Sequence, residues 1–162
     1  MKRALIIFMA GFTAAWCNQA VAATTTANLG VQMTITASCV VSSVGALSFG
    51  TSGILSANVD ATTTLGVQCT SGTTYNVGLN AGTGIGATVA ARKMSSGAST
   101  LVYTLYSNST RTTVWGNTVG TDTVSGAGTG SVQSYTVYGR APAQATPAAG
   151  AYADTVMVTV TY

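Results

Sequence analysis

The sequence predicts an all-β protein, an antiparallel sandwich or barrel of short strands. Apolar residues recur at every second position in several runs, and Gly, Ser and Asn turns separate these runs. Thr and Val, whose branched side chains suit a pleated sheet, are abundant. Only 6% of the residues are charged, so the charged residues that favour helices are scarce. Because the apolar residues alternate, we expect an ordered fold rather than disorder.

Residues 1–23 are predicted to be a secretory signal peptide. Lys2 and Arg3 form its basic start, residues 4–16 its apolar stretch, and small residues at 20–23 its cleavage site. The apolar stretch of 13 residues is shorter than the ~20 residues needed to cross a bilayer as a helix. We therefore expect an exported domain of about 139 residues without stable membrane insertion.

The segment 24–39 has the pattern of a strand with one buried face, because Leu29, Val31, Met33 and Ile35 alternate with polar residues or Gly. It ends at Cys39, which with Cys69 forms an even pair in an exported chain. Such a pair predicts a structural disulfide.

Further strands are predicted along the chain, at 46–50, 62–69, 73–81, 89–94, 100–107, 112–117, 132–139 and 152–162. The turn Ser71-Gly72 predicts that the second and third of these form a hairpin. Residues 118–131 are expected to be a loop or a poor hairpin, and residues 140–151 a long connection. The last run places five apolar or aromatic residues on one face: Tyr152, Val156, Val158, Val160 and Tyr162.

The chain contains few residues of the kinds that usually carry out catalysis. There is no His, and the abundant Ser and Thr have no evident activating base. The Gly-rich stretch 82–87 has neither the helix nor the later acidic residue of a dinucleotide site. Few charged residues lie beyond the signal: Asp60, Asp122, Asp154, Arg92, Lys93, Arg111 and Arg140. We therefore expect no enzyme, no cofactor, no metal site and no nucleic-acid surface.

Several ordered motifs resemble the spore coat protein U domain, the family of subunits from archaic (Csu-type) chaperone–usher pili. The first motifs are Cys39-Val40-Val41, LSFG at 47–50 and QCTSGTTYNVGLNAG at 68–82. The others are Arg92 with Met94, YTLY at 103–106, Trp115-Gly116 and the closing run from Tyr135 to Tyr162. The resemblance covers essentially the whole chain after the signal.

The resemblance implies an incomplete immunoglobulin-like β-sandwich, which is completed by a donor strand from a neighbouring subunit. A periplasmic chaperone would lend a strand first, and an outer-membrane usher would then exchange it for the N-terminal extension of the next subunit. The implied partners are thus identical or related pilus subunits, the chaperone and the usher. The implied destination is the cell surface, where the pilus would support adhesion and biofilm formation.

The resemblance also divides the chain into a donor-strand extension at 24–32 and an immunoglobulin-like pilin domain at 33–162. The stretch into Cys39 would be the first strand of that domain. The boundary between the donor segment and this first strand would lie between Leu29 and Ile35. The donor side chains would be Ala27, Leu29, Val31 and Met33. The C-terminal strand would form the groove edge for chaperone and donor through Val156, Val158, Val160 and Tyr162.

Two other interpretations remain open at this point. The final alternating strand, which ends on an aromatic residue, is also typical of a small outer-membrane β-barrel, although nine aromatic residues beyond the signal are few for two interfacial girdles. A secreted spore-coat or lectin-like protein with a complete sandwich would show the same strand pattern.

Overall fold

The computed structural model describes residues 20–162, so the predicted signal peptide 1–23 lies mostly outside the described residues. The chain divides between Thr34 and Ile35 into an N-terminal segment and a body, Ile35–Tyr162. The described part of the N-terminal segment contains no helix or strand. Its side chains at Leu29, Val31 and Met33 are 87%, 85% and 87% exposed. The predicted boundary between donor extension and domain stays a prediction.

The body confirms the predicted all-β, immunoglobulin-like fold, and its strands pair antiparallel in two sheets. One sheet has the order β1-β2-β7-β5-β4 and the other the order β6-β3-β8. Among residues 20–162, no helix is long and apolar enough to cross a membrane. The strands are β1 Cys39–Val44, β2 Val59–Cys69, β3 Thr74–Leu79, β4 Arg92–Ser96, β5 Ser99–Tyr106, β6 Val124–Ala127, β7 Val132–Ala141 and β8 Val158–Thr161.

The core consists of the alternate side chains that both sheets direct inward. Leu65 and Val67 of β2 face Val77 and Leu79 of β3, and all four side chains are buried. Gly139 of β7 is closely packed, because a Cβ there would lie 2.9 Å from the methyl carbons of Leu47 and that side chain would have to move. The segment after β1 therefore lies directly against the inner face of the larger sheet.

The predicted hairpin between 62–69 and 73–81 is wrong. Its two strands, β2 and β3, lie in different sheets, and the turn at Ser71-Gly72 carries the chain from one sheet to the other. Gly72 adopts a φ of 80°, a left-handed conformation that Gly tolerates without a steric cost. The same turn residues suit a hairpin and a crossing between sheets, so the local sequence does not distinguish them.

Other strand boundaries also differ from the predictions. The first strand of the body begins at Cys39, whereas the sequence suggested a strand that ends there. Residues 46–50 and 112–117 are not strands, and the predicted loop 118–131 contains β6. In the final run, β8 includes Val158 and Val160, but Val156 and Tyr162 lie outside its bounds. A segment with a strand-like composition forms a strand only where a neighbouring strand pairs with its backbone. The composition alone does not show whether such a neighbour is present.

Cys39 and Cys69 are joined by a disulfide that links the start of β1 to the end of β2. We expect the double variant Cys39→Ala with Cys69→Ala to lose about 3–4 kcal/mol of unfolding free energy, because the bridge closes a loop of about 30 residues in the unfolded chain. Urea unfolding followed by the fluorescence of Trp115 measures this change. A loss below about 1 kcal/mol would contradict the expectation.

Candidate functional site: an uncovered groove

One wall of the groove is the inner face of β1, which is only partly covered. Val41 pairs with Val67 and Val44 pairs with Leu65, so each β1 side chain points to the same side of the sheet as a buried partner. Val41 and Val44 are nevertheless 39% and 58% exposed. Apolar side chains that face the core side but remain exposed mark a place where the second layer is missing.

The opposite wall is the C-terminal segment, whose side chains alternate as the sequence predicted. Val156, Val158 and Val160 are half-buried and pack against the core. Met157, between the first two, is exposed.

The outer edge of β8 is free in the described part of the chain, where only β3 pairs with this strand. The Met157 carbonyl accepts a hydrogen bond from the Asn80 backbone at 3.1 Å, so the backbone groups of Met157 point toward β3. Backbone groups alternate in direction along a strand, so those of Val158 and Val160 point to the free edge. A free edge of this kind is a template for another strand.

The floor of the groove is mainly apolar, with Thr63, Thr64 and Asp154 among its lining residues. A cavity of about 320 Å³ lies between the two walls. A second hollow of about 820 Å³ continues it along residues 47–55 and 146–152. The two cavities share the same four side chains: Leu47, Phe49, Met94 and Tyr152.

A fully buried arginine supports the β3 end of this site. The Arg92 guanidinium donates hydrogen bonds of 2.7–2.8 Å to the carbonyl oxygens of Leu79, Asn80, Val89 and Trp115. Burial lowers the pKa of Arg92 from its ordinary value because water no longer solvates the cation. The four carbonyl groups replace that water, and the cation joins the end of β3, the start of β4 and the Trp115 segment.

Asn80 links the arginine to the groove wall. Its carbonyl accepts a hydrogen bond from Arg92, while its side-chain Oδ1 accepts one from the Met157 backbone at 2.9 Å. Its own backbone N–H donates to the Met157 carbonyl. Asn80 therefore connects the buried Arg92 to the C-terminal segment and helps to hold that segment beside β3.

Asp154 holds the beginning of the C-terminal segment. Its carboxylate accepts hydrogen bonds of 2.7–2.8 Å from the Tyr103 hydroxyl, the backbone and side chain of Thr83, and the Thr155 backbone. Desolvation by burial acts to raise the pKa of Asp154, but these hydrogen bonds outweigh it, so the pKa is lowered. Burial and the bond to Asp154 raise the pKa of Tyr103.

The structure brings together only part of the predicted site. Val156 and Val158 line one side of the groove and Val160 packs against the core, while Tyr162 is 61% exposed. Cys39 begins the opposite wall. The roles of the predicted donor residues Ala27, Leu29, Val31 and Met33 stay predictions.

Sequence reasoning missed the network around Arg92, Asn80 and Asp154. An arginine preceded by three small apolar residues, in Val89-Ala90-Ala91-Arg92, was the available signal, because a cation in such surroundings is a candidate for burial. In residues 20–162, no three potential metal-ligating side chains gather in one place.

A family model and a related protein both place this chain in the same family. Residues 25–159 match the family model described as Spore Coat Protein U domain. Protein U of Myxococcus xanthus is 36% identical to this chain, and the alignment covers 87% of each protein.

A solved structure is also similar. It is the chaperone–tip adhesion subunit pre-assembly complex from archaic chaperone–usher Csu pili of Acinetobacter baumannii, one chain of which matches with a TM-score of 0.58 and 26% identity. The match covers 80% of the present chain and 40% of the solved chain, so the present chain spans less than half of that chain's length.

The buried arginine is expected to be essential for stability. Arg92→Met should cost at least about 3 kcal/mol of unfolding free energy, because it leaves several buried carbonyl groups without donors. The matched control Arg140→Met should cost much less, since Arg140 makes a surface ion pair with Asp60 that water and salt screen. Urea unfolding of both variants measures the difference, and equal losses would contradict the assignment.

Asp154 is expected to make the unfolding free energy fall as the solution becomes acidic. A carboxyl whose pKa is lowered in the folded state stabilises the protein above its unfolded pKa of 3.8, and the contribution is lost as the pH falls through the folded pKa. The unfolding free energies of the natural chain and Asp154→Asn should therefore differ most at neutral pH and converge between about pH 5 and pH 2. A difference that does not change with pH would refute this role.

Proposed function

Because the chain belongs to the Spore Coat Protein U domain family, we propose that it is a structural subunit of a surface pilus, assembled by the chaperone–usher pathway through donor-strand complementation. The uncovered inner face of β1 carries this proposal. Val41 and Val44 lie on the core side of the sheet yet remain exposed, opposite a strand with a free edge. A sandwich with this gap lacks one strand, and another subunit can supply it.

The proposed donor is the segment 24–32 of a neighbouring subunit, with Met33 at its boundary. Leu29, Val31 and Met33 alternate along an extended chain, so all three can point into one groove. Burial of each such side chain contributes roughly 1.5–3 kcal/mol before the cost of ordering the segment. The donor backbone would pair with the free groups of Val158 and Val160.

The same groove explains the proposed partners. A periplasmic chaperone would cover the apolar walls until an outer-membrane usher exchanges it for the donor segment of the next identical or related subunit. The similar solved structure is a complex of a chaperone with a tip adhesion subunit, which supports this proposal. Head-to-tail donation does not close on itself and so makes a filament, which we place at the cell surface in adhesion and biofilm formation. The role is structural rather than catalytic.

A secreted coat protein is the second candidate. The family is named after a spore coat protein, and Protein U of Myxococcus xanthus is 36% identical to this chain. Such a protein would use the same fold without extended polymers.

Polymerisation through the donor tests the proposal. Assembled with a periplasmic chaperone and usher, the full chain should form ladders on gels that resist mild heating in detergent. Leu29→Asp and Val31→Asp should abolish these ladders, because each would bury an unpaired charge in an apolar groove. Chaperone capture should be unchanged, since the chaperone binds the groove rather than the donor.

The control variant is Gln32→Asp, which adds the same charge on the opposite face of the donor strand and should leave the ladders intact. Deletion of residues 24–33 should leave the subunit bound to chaperone or aggregated. A deleted chain that remains folded and monomeric by itself would favour the coat-protein candidate. Ladders that survive Leu29→Asp would rule out the donor assignment.

A further inference from the structure

The chain that enters β1 is anchored before the strand begins. The Thr70 hydroxyl donates to the Thr36 carbonyl at 3.1 Å and accepts from the Ser38 backbone at 3.2 Å. The Thr70 backbone donates to the Ser38 carbonyl at 2.9 Å, and the disulfide of Cys39 follows immediately. The body therefore holds its own chain from Thr36 onward.

This anchor leaves a short tether, an argument that rests on the proposed function. If Met33 is the last residue seated in the neighbouring subunit, only Thr34 and Ile35 connect it to the anchor at Thr36. Three successive Cα–Cα steps span at most about 11 Å. The exit of the neighbour's groove must therefore lie within about 11 Å of Thr36, so the neighbour is held close to this end of the body.

The same end exposes three large apolar side chains. Ile35, Val40 and Val132 are 72%, 54% and 55% exposed. Val40 and Val132 flank Gln68 on the outer face of the sheet, because Gln68 pairs with Val40 on one side and with Val132 on the other. We call these three residues the joint surface.

The surroundings of the joint surface are uncharged. No charged residue occurs in 34–41, 66–73 or 126–134, the three stretches that meet at this end. Charged residues are depleted in the centre of protein–protein interfaces, whereas exposed apolar side chains are used there.

We propose that the joint surface packs against the next subunit of the filament, a second copy of this chain, and fixes the angle between the two bodies. The tether brings the neighbour to this end, and the apolar side chains give it a surface to contact. A tether without such a contact would leave each body free to swing on Thr34 and Ile35.

Filament stiffness tests this inference separately from donor-strand exchange. The double variant Val40→Asp with Val132→Asp should still form detergent-resistant ladders, because its donor and groove are unchanged. Its filaments should show a roughly twofold shorter persistence length in electron micrographs, since an uncontacted short linker behaves as a flexible joint. Insertion of Gly-Ser-Gly-Ser after Thr34 should have the same effect by lengthening the tether.

The control is Val119→Asp, which places a charge on a comparably exposed valine outside the joint surface. It should leave both ladders and persistence length unchanged. Ladders with unchanged stiffness in the double variant, or an equal loss of stiffness in the control, would overturn the inference alone. Absence of ladders from the unsubstituted chain would overturn the proposed function and this inference with it.

Discussion

An apolar sheet face is stable in water only when another apolar layer covers it, and this constraint governs the molecule. The larger sheet has five strands and the smaller only three, so the smaller sheet cannot cover the whole inner face. The deficit falls at β1, where Val41 and Val44 point inward and stay exposed. The groove and the proposed need for a donor strand follow from that missing layer, and β8 borders it with an edge that has no partner in the described residues.

The walls of the groove are held in position by buried polar contacts. Arg92 is a buried cation whose hydrogen-bonding capacity is used on backbone carbonyls, and Asn80 transmits that position to the C-terminal segment. Asp154 attaches the start of the same segment to Tyr103 and Thr83. A groove that must accept a strand in one register benefits from walls held by directional polar contacts, because apolar packing alone allows sliding.

Much of this organisation was predictable, but to unequal degrees. The inward face of the C-terminal run was predicted at Val156, Val158 and Val160, because alternation in sequence becomes alternation of faces in any extended chain. The disulfide was predicted from an even pair of cysteines in an exported chain. The hairpin at Ser71-Gly72 was wrong because a two-residue turn signal says that the chain reverses, and not whether it reverses within one sheet or between two.

Residue types and their order along the chain were enough to predict the strand periodicity, the Cys39–Cys69 pair, the scarcity of catalytic groups and the apolar face of the N-terminal segment. These properties depend on residue type and spacing along the chain. The three-dimensional arrangement was needed to learn which strands share a sheet, which edge of β8 has no partner in residues 20–162 and why Arg92 is buried. Those features depend on pairing between residues far apart in sequence, and a period of two specifies which face of a strand is buried without specifying the strand that lies beside it.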